Sequence, residues 1–466
     1  MIERVWAAAS ALLPKGRLAR SALVVSSGHV AGYAVMLLAT PLLTRLYSPA
    51  DFGVYAVYTS LIAMLGLVSM ACYEAAIPLP EDDRTAHGLV LLSLGICLVT
   101  ASGMAVVIRF GGETLLGRLQ AGELAGLFPL FAVQLIGSGS CETLTNWFVR
   151  SGRFAPIARV RLAASVVNAS VQIALAFLTC GAVGLVAGSA AGAVVGGGYL
   201  LVLFFGAWSP RSASAADVWN AAVRYRRFPQ LSMPSTLLHR TAILLPPLAL
   251  ASLYDSQVVG WYGLAQRALI VPLSLIGPPL SRVYLAEASR LHREGLGRLR
   301  RLFLRTAEKQ LLYAGLPLLV LVLAAPALFA VAFGEPWREA GVYCQMVFPM
   351  LLLFIIASVL AATLDVLERQ DLQLLRSTVS LGLMMVGLIV PWWLAAPPRV
   401  AVAALSGAGS AGYLLTLWLV WRAIPRDRLP QEAAPGVDRG PREAPFEPSQ
   451  RGLTASSVSV SVGSHD

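Results

Sequence analysis

The segment Leu46-Tyr-Ser-Pro-Ala-Asp-Phe-Gly53-Val-Tyr55 returns 207 residues later as Leu253-Tyr-Asp-Ser-Gln-Val-Val-Gly260-Trp-Tyr262. Both copies fit the pattern Leu-Tyr-x5-Gly-x-Tyr, and each joins the end of one long apolar run to the start of the next. Agreement in sequence and in position indicates an internal duplication. The two halves of the chain are therefore expected to fold alike, with a site between them.

The composition of the chain is that of a membrane protein. Hydrophobic residues make up 57% of the 466 residues, charged residues only 13%, and the mean hydropathy is +0.69. A soluble domain carries roughly 25% charged residues. Twelve apolar runs have the roughly 20 residues that cross a bilayer core. They lie at about 23–46, 53–76, 87–108, 124–145, 160–180, 182–206, 233–253, 259–281, 311–333, 342–364, 373–394 and 399–421. We predict an all-α integral membrane protein with about twelve transmembrane helices.

The basic residues give these helices an orientation. If both termini are cytoplasmic, 29 of the 36 Lys and Arg fall on cytoplasmic segments, as the positive-inside rule requires. Only Arg45, Arg109, Arg118, Arg338 and Arg399 fall on outer segments. The net charge of +11 lies between apolar runs rather than on one arm or face, so nucleic acid is not an expected partner.

The duplication divides the chain into two six-helix lobes arranged as parallel repeats. The predicted first lobe spans 23–207 and the second spans 233–422, with a cytoplasmic linker at 208–232. Residues 1–22 are predicted to form a cytoplasmic or interfacial segment. Residues 423–466 are rich in Pro, Glu, Gly and Ser, and we expect a disordered cytoplasmic tail there.

Two arginines fall inside apolar runs, where a charge normally faces the interior of the bundle. The repeat offset places Arg240 opposite Tyr33 of a polar stripe on the first helix, and Arg267 opposite Ser60 of the second. We hypothesise a cationic lumen whose guanidinium groups suit phosphate or pyrophosphate oxygens. Its predicted residues are His29, Arg45, His239, Arg240 and Arg267. The alternative is that each arginine pairs with a buried acid or a helix-end carbonyl for structure alone.

Three acidic residues lie in or near the spans and are candidates for ion coupling, namely Glu74, Glu142 and Asp365. The alternative is that they form surface pairs at cytoplasmic helix ends with Arg150, Arg153 and Arg369. Asp51 is predicted to cap the second helix. The spacing of Gly184, Gly188, Gly192 and Gly196 favours close helix packing inside the lobe.

Several kinds of chemistry have no motif in the chain. The sequence contains no Gly-x4-Gly-Lys-[Ser/Thr] phosphate loop and no His-Glu-x2-His motif. The five cysteines lack Cys-x2-Cys spacing, which supports neither a disulfide framework nor a zinc site. We therefore expect no catalytic residues, no cofactor and no metal, and a transporter driven by an ion gradient or by the membrane potential.

Four segments resemble a known family of transporters. They are Thr40-Pro-Leu-Leu-Thr-Arg45 with the first repeat, Tyr73-Glu-Ala-Ala-Ile-Pro-Leu-Pro80, Arg224-Tyr-Arg-Arg-Phe-Pro229 and Gly260-Trp-Tyr-Gly-Leu-Ala-Gln-Arg267. Their order and content resemble the bacterial polysaccharide transporters, the Wzx-type flippases within the multidrug/oligosaccharidyl-lipid/polysaccharide exporter superfamily. His239-Arg240 departs from the Asn-rich stretch that relatives often carry.

The resemblance implies a flippase in the bacterial inner membrane. Such a protein moves an undecaprenyl-pyrophosphate-linked oligosaccharide, a unit of O-antigen, capsule or exopolysaccharide, from the cytoplasmic to the periplasmic leaflet by alternating access. Its expected partners are the lipid-linked glycan, membrane lipids and a complex of glycan polymerase and chain-length regulator. The alternatives are a multidrug or cation antiporter with an acidic lumen, a membrane glycan polymerase with a large outer loop, and a scaffold that does not transport.

Overall fold

The computed structural model describes residues 17–178, 180–206, 214–294, 296–367 and 369–424, and within these ranges the chain is helical with no β-strand. The first lobe contains α1 (Arg17–Leu46), α2 (Pro49–Ser69), α3 (Asp83–Arg118), α4 (Phe128–Arg150), α5 (Ala155–Ala176) and α6 (Ala182–Gly206). The linker contains α7 (Ala215–Arg224). The second lobe contains α8 (Met233–Leu253), α9 (Ser256–Glu294), α10 (Leu296–Gln310), α11 (Leu316–Leu323), α12 (Ala325–Phe333), α13 (Arg338–Leu360), α14 (Ala362–Val366), α15 (Gln370–Trp393) and α16 (Pro398–Ala423).

A helix lies at each of the twelve predicted spans. In the described residues, nine helical segments are long and apolar enough to cross a membrane. The fifth, seventh and eighth predicted spans correspond to α5, α8 and α9, which lie outside those nine. The chain is thus a multi-pass α-helical membrane protein, while the number twelve and the cytoplasmic termini stay predictions. The tail at 425–466 and most of the predicted N-terminal segment lie outside the described residues.

Several boundaries differ from the sequence expectation for local reasons. The second helix ends at Ser69 because Ala71 and Cys72 adopt left-handed backbone angles, with φ of 51° and 60°. A short 3₁₀ turn, Tyr73–Ala76, follows this break. The third helix continues to Arg118, so most of the expected outer loop at 109–123 is helical.

The cap of the second helix also differs. Ser48, not Asp51, is the N-cap, and Asp51 occupies the third helical position. The Ser48 hydroxyl accepts a hydrogen bond from the Asp51 amide, and the Asp51 carboxylate accepts one from the Ser48 amide at 2.8 Å. This reciprocal arrangement is a capping box. The predicted role of Asp51 as the N-cap was therefore wrong by three residues, although Asp51 does stabilise the helix start.

The two lobes repeat one packing pattern. In the first lobe, α5 packs on α1 and α6, while α4 packs on α2, α3 and α6. In the second lobe, α15 packs on α8 and α16, while α13 packs on α9, α12 and α16. Each contact has its counterpart at the equivalent place in the other half. The helix packing therefore bears out the duplication read from the sequence.

Buried side chains show where the lobes join. We call the end of the bundle that carries residues 46–49 and 253–256 the turn end, and the end that carries residues 214–232 the linker end. One apolar core that includes Leu43, Tyr58, Tyr262 and Trp337 extends through both lobes from the turn end. At the linker end each lobe has a separate core. The lobes are joined at one end and distinct at the other.

Two glycines of the duplicated motif form the closest approach between the lobes. A Cβ atom built on Gly53 would overlap the carbonyl oxygen of Ser256, and one built on Gly260 would overlap that of Pro49. Since 49 and 256 differ by the same 207 residues as 53 and 260, the contact is symmetric. The crossing of α2 and α9 therefore lies on the pseudo-twofold axis, and only glycine allows these backbones to approach so closely.

Trp337 strengthens the same junction from the second lobe. Its indole Nε1–H donates a 2.8 Å hydrogen bond to the carbonyl oxygen of Thr44 in α1. Its ring meets that of Phe52 edge to face, with centroids 4.9 Å apart. The side chain is 1% exposed. A buried aromatic with a satisfied donor is a strong interface anchor.

We predict that Gly53→Ala and Gly260→Ala each open the turn end. The added methyl group must displace a backbone carbonyl, and such overpacking costs about 1–3 kcal/mol. That cost corresponds to a roughly 5- to 150-fold fall in the closed population. Distances between spin labels at Glu123 and Val400, both exposed at the turn end, would measure it in a cysteine-free background.

Gly263→Ala provides the matched control for this measurement. Its added Cβ would lie 3.4 Å from the Cβ of Ala56, an ordinary van der Waals contact on the same helix crossing. We expect that variant to keep the native label distance. Native distances in the Gly53 and Gly260 variants would contradict the assigned crossing.

Candidate functional site

Helices α1 and α8 are equivalent in the repeat. On the face that each helix shares with the other by this equivalence, residues near the turn end are buried and residues farther from it are exposed. In α1, Thr40 and Thr44 are 3% and 4% exposed, whereas Tyr33 on the same face is 43% exposed. In α8, Pro247 and Ala251 are buried, whereas Arg240 on the same face is exposed. Positions seven and eleven residues apart share a helix face. The faces are closed at the turn end and open toward the linker end.

Arg267 lies on the axis between the lobes. It follows Gly260 by seven residues and therefore shares the face of α9 that crosses α2. Ser60 occupies the equivalent position in α2 and is buried, while Arg267 is half-buried. Arg267 is thus two helical turns from the glycine crossing.

The two arginines lie at similar depths. Arg240 precedes the end of α8 at Leu253 by thirteen residues, about 20 Å at the rise of an α-helix. Arg267 follows the start of α9 at Ser256 by eleven residues, about 16 Å on the same measure. Measured from the turn end, both distances are between half and two thirds of the roughly 30 Å thickness of a hydrocarbon core.

No described carboxylate lies within ion-pair distance of Arg240 or Arg267. A guanidinium that faces hydrocarbon is expensive, so an exposed arginine at mid-depth belongs in a water-filled gap. Its five donors then remain available for an anionic ligand. Within the described residues, the pairing alternative has no support for these two side chains.

The other three residues of the predicted lumen are Arg45, His29 and His239. The Arg45 guanidinium donates a 3.4 Å hydrogen bond to the Val331 carbonyl of α12, so it bridges the lobes at the turn end. His29 is half-buried in α1. His239 is a residue of α8, and its side chain is not among those that the structure describes. Arg45 is therefore separated along the bundle from the mid-depth arginines.

The gap between the lobes is asymmetric. The first-lobe helix α2 packs along α8 of the second lobe, and the turn Tyr73–Ala76 beyond α2 packs against Phe228–Ser232, which leads into α8. The symmetry-related helices α1 and α9 make at most marginal contact among the described residues. The gap is therefore flanked closely on the side of α2 and α8 and is open on the side of α1 and α9.

The three acidic candidates have different surroundings from those expected. Glu142 faces Arg161, with Nη2 and Oε2 3.8 Å apart, and not Arg150 or Arg153. Arg150 pairs instead with Asp83 at 2.9 Å. The expected surface pairs were wrong in their partners because helix packing brings α4 beside α5.

The acidic candidate of the second lobe, Asp365, also lacks the partner that was expected for it. Arg369 pairs with Asp371 at 2.8 Å, which leaves Asp365 free of the partner expected for it. Asp365 interacts electrostatically with Arg376 instead. The pairing that sequence proximity suggested, between Asp365 and Arg369, was therefore wrong.

Glu74 is the most perturbed of these acids. It lies outside the spans, in the 3₁₀ turn after α2, and its Oε2 atom is buried without a hydrogen-bond partner. Burial raises the pKa of its carboxyl above the ordinary value, and the nearby Glu142 carboxylate raises it further, against a hydrogen bond from its own backbone. The carboxyl therefore favours its protonated form more than a solvated one does.

Two arginines that the positive-inside count assigned to cytoplasmic segments lie well inside helices. Arg161 is the seventh residue of α5, and Arg376 is the seventh residue of the equivalent helix α15. Each is followed four residues later by a serine, Ser165 or Ser380, and the Nε atom of each arginine is buried without a partner. The shared Arg-x3-Ser spacing at an offset of 215 would have revealed this pair.

The comparison with known sequences places the chain in a defined group. A family model described as polysaccharide biosynthesis protein matches residues 42–342. The succinoglycan biosynthesis transport protein ExoT of Rhizobium meliloti (strain 1021) is 23% identical over 310 residues, 66% of this chain. The amylovoran biosynthesis protein AmsL of Erwinia amylovora is 20% identical over 233 residues, 50% of this chain. The matches span 61% and 58% of the lengths of these relatives.

A solved structure has the same fold. The lipid II flippase MurJ in an inward closed conformation superimposes with a TM-score of 0.62 at 12% identity. The alignment covers 85% of this chain and 86% of that one. At this identity the likeness concerns the helical architecture alone.

Glu74 generates a pH prediction. A carboxyl whose pKa is raised in the folded state stabilises most below its unfolded pKa, and that contribution is lost as the pH rises through the folded pKa. We expect the melting temperature of the purified protein to fall between pH 5 and pH 8, and Glu74→Gln to flatten the fall by roughly 1–3 °C. Thermal unfolding in detergent across that range would measure the difference.

Glu81→Gln is the matched control, because Glu81 is an exposed carboxyl of the same connection. It should leave the pH profile unchanged. An unchanged profile in the Glu74 variant would show that its burial has no effect on stability.

Proposed function

This chain belongs to the polysaccharide biosynthesis protein family, and from that premise we propose that it is a flippase for lipid-linked oligosaccharides. Its substrate would be an undecaprenyl-pyrophosphate-linked repeat unit of a surface polysaccharide. The protein would move that unit from the cytoplasmic to the periplasmic leaflet of the bacterial inner membrane. Two relatives support this proposal, since one is named as an amylovoran biosynthesis protein and the other as a succinoglycan biosynthesis transport protein.

One observation carries the proposal, namely the pair Arg240 and Arg267. The two residues lie on neighbouring helices at similar depth, at the positions that the repeat makes equivalent to Tyr33 and Ser60, without a described carboxylate partner. Two guanidinium forks match the oxygens of a pyrophosphate, which bears charge at two adjacent phosphorus atoms. A cation antiporter would instead need acidic groups at this position.

The lobe arrangement supports alternating access. The joint core and the glycine crossing close the turn end, whereas the linker end has a separate core in each lobe. We assign the turn end to the periplasmic side, in agreement with the positive-inside rule. Rocking of the lobes about their junction would then expose the arginine pair to one side and afterwards to the other.

The open side between α1 and α9 suits a lipid-linked substrate. A polyprenyl chain is favourable in hydrocarbon and unfavourable in a polar lumen. With α1 and α9 in at most marginal contact, the headgroup can occupy the gap while the chain stays in the bilayer. A water-soluble substrate has no need of such an opening.

We also propose that Glu74 binds the coupling proton, if a proton gradient drives transport. Among the three acidic candidates it alone combines burial with a raised pKa and an oxygen that lacks a partner. The turn that carries it, Tyr73–Ala76, packs against Phe228–Ser232, which leads into α8 of the second lobe. A change in its protonation would therefore act on the segment that joins the linker to the second lobe.

We predict that Arg267→Ala and Arg240→Ala each lower translocation about 10- to 150-fold. A lost charge-assisted hydrogen bond costs about 1.5–3 kcal/mol, and each 1.4 kcal/mol is tenfold. The measurement is the leaflet location of the lipid-linked glycan in a deletion strain that carries each variant at equal membrane abundance. Arg267→Lys should recover part of the loss, because it keeps the charge without the planar fork.

Arg338→Ala is the matched control for these variants. Arg338 is an exposed arginine that pairs with Glu335 at 2.6 Å at the turn end, outside the proposed lumen. Its removal should leave translocation unchanged. Full translocation and full polysaccharide output in both lumen variants would reject the flippase mechanism and favour a scaffold.

A further inference from the structure

A cavity of about 280 Å³ lies inside the first lobe, apart from the arginine pair. Helices α4, α5 and α6 form its walls, and six residues with polar side chains line it. These polar residues are Ser138, Glu142, Arg161, Ser165 and Asn168 from α4 and α5, joined by Ser189 from α6. Among the described lining residues, Val160 is the one large aliphatic side chain, and none is aromatic.

The cavity holds unused hydrogen-bonding capacity. The Arg161 Nε–H group and the Asn168 Oδ1 atom are both buried without a partner. The Arg161 Nη2 and Glu142 Oε2 atoms are 3.8 Å apart, longer than a tight charge-assisted hydrogen bond. Buried polar atoms normally have partners. Both donors and acceptors are therefore available to a ligand.

Charge narrows the class of ligand. Arg161 and Glu142 cancel, so the cavity favours neither an anion nor a cation. The described residues contain no cluster of three or more His, Cys, Asp or Glu that could hold a metal ion. A neutral molecule that both donates and accepts several hydrogen bonds fits these walls, and a sugar ring has that chemistry in each hydroxyl group.

Size and access agree with a single ring. Gly196 leaves room on the α6 wall, whereas Gly192 allows α6 to approach the Ala164 carbonyl of α5 closely. The volume of about 280 Å³ is just below the ~300–1,000 Å³ of small-molecule pockets. The Glu142 side chain is 53% exposed, and since a charged group facing lipid is expensive, the mouth faces water.

The cavity also lies near the gap between the lobes. Glu142 interacts electrostatically with Glu74, which lies in the turn Tyr73–Ala76. That turn packs against Phe228–Ser232, which leads into α8, the helix that carries Arg240. A substrate held by its pyrophosphate in the gap could therefore extend its glycan toward this part of the first lobe.

We propose that the first-lobe cavity is a sugar subsite that binds one neutral hexose of the glycan. This inference rests on the proposed flippase function and assigns the substrate to both lobes. The arginine pair holds the pyrophosphate, and the walls around Arg161 and Asn168 hold a sugar ring by its hydroxyl groups. Recognition of the glycan is then separate from recognition of the lipid carrier.

The test compares two probes on the purified full-length chain. One probe is undecaprenyl pyrophosphate, and the other is the same lipid carrying one glucose or one galactose. Asn168→Leu and Glu142→Gln should weaken binding of a hexose-bearing probe on the order of 5- to 10-fold, the value of one or two hydrogen bonds. Binding of the bare lipid should change less than about twofold.

Two further variants keep the test independent of folding defects. Gly196→Ala adds a methyl group that would lie 3.6 Å from the Ala164 Cβ and Cys141 Sγ atoms, so it narrows the cavity without displacing its neighbours. It should also weaken only the hexose-bearing probes. Ser170→Leu replaces a small polar residue with the same leucine as Asn168→Leu, but at an exposed position of α5, and it should alter neither probe.

The outcomes separate the two proposals. If the wild-type chain binds neither probe, the flippase function fails. If it binds both probes and the cavity variants weaken them equally or not at all, the sugar subsite is overturned while the flippase function stands. Selective loss of the hexose-bearing probes in the cavity variants, with Arg267→Ala weakening every probe, supports both.

Discussion

The structure depends on one steric constraint, the crossing of α2 and α9 at Gly53 and Gly260. At that point each backbone contacts the other without an intervening side chain, which brings Trp337 against Phe52 and the Thr44 carbonyl. Membrane helices gain little from the hydrophobic effect and associate through such close packing. The crossing fixes the axis, and the axis fixes which faces of the surrounding helices become the interior.

The helix faces that line this interior carry different charge in the two lobes. Helical faces that duplication made equivalent carry Tyr33 and Ser60 in the first lobe but Arg240 and Arg267 in the second. A duplicated fold thus provides a symmetric frame for rocking, while divergence of a few residues supplies the charge that an anionic headgroup requires. The contact between α2 and α8, compared with the open side between α1 and α9, breaks the symmetry again.

The first lobe balances its charge within itself. Arg161 and Glu142 lie 3.8 Å apart in the wall of a small polar cavity, and the Glu142 carboxylate acts electrostatically on Glu74. Buried polar groups that lack partners are costly, so their persistence indicates a ligand or a moving proton rather than packing. Carrier recognition in one lobe and glycan recognition in the other would let related chains change sugars without changing the lipid.

The sequence alone determined the membrane class, the approximate positions of the helices and the repeat, because hydropathy, charge alternation and spacing are properties of neighbouring residues. Partners across the bundle were decided only by tertiary structure. Glu142 faces Arg161 and not Arg150, and Arg45 belongs to the lobe junction, because helix packing brings together residues that are distant in the chain. The equivalence of Arg161 and Arg376 was missed, since the repeat offset grows from 207 to 215 between the motif and these helices. Sequence patterns depend on whether each residue faces lipid, water or protein. Contacts between helices depend on how all the helices pack together.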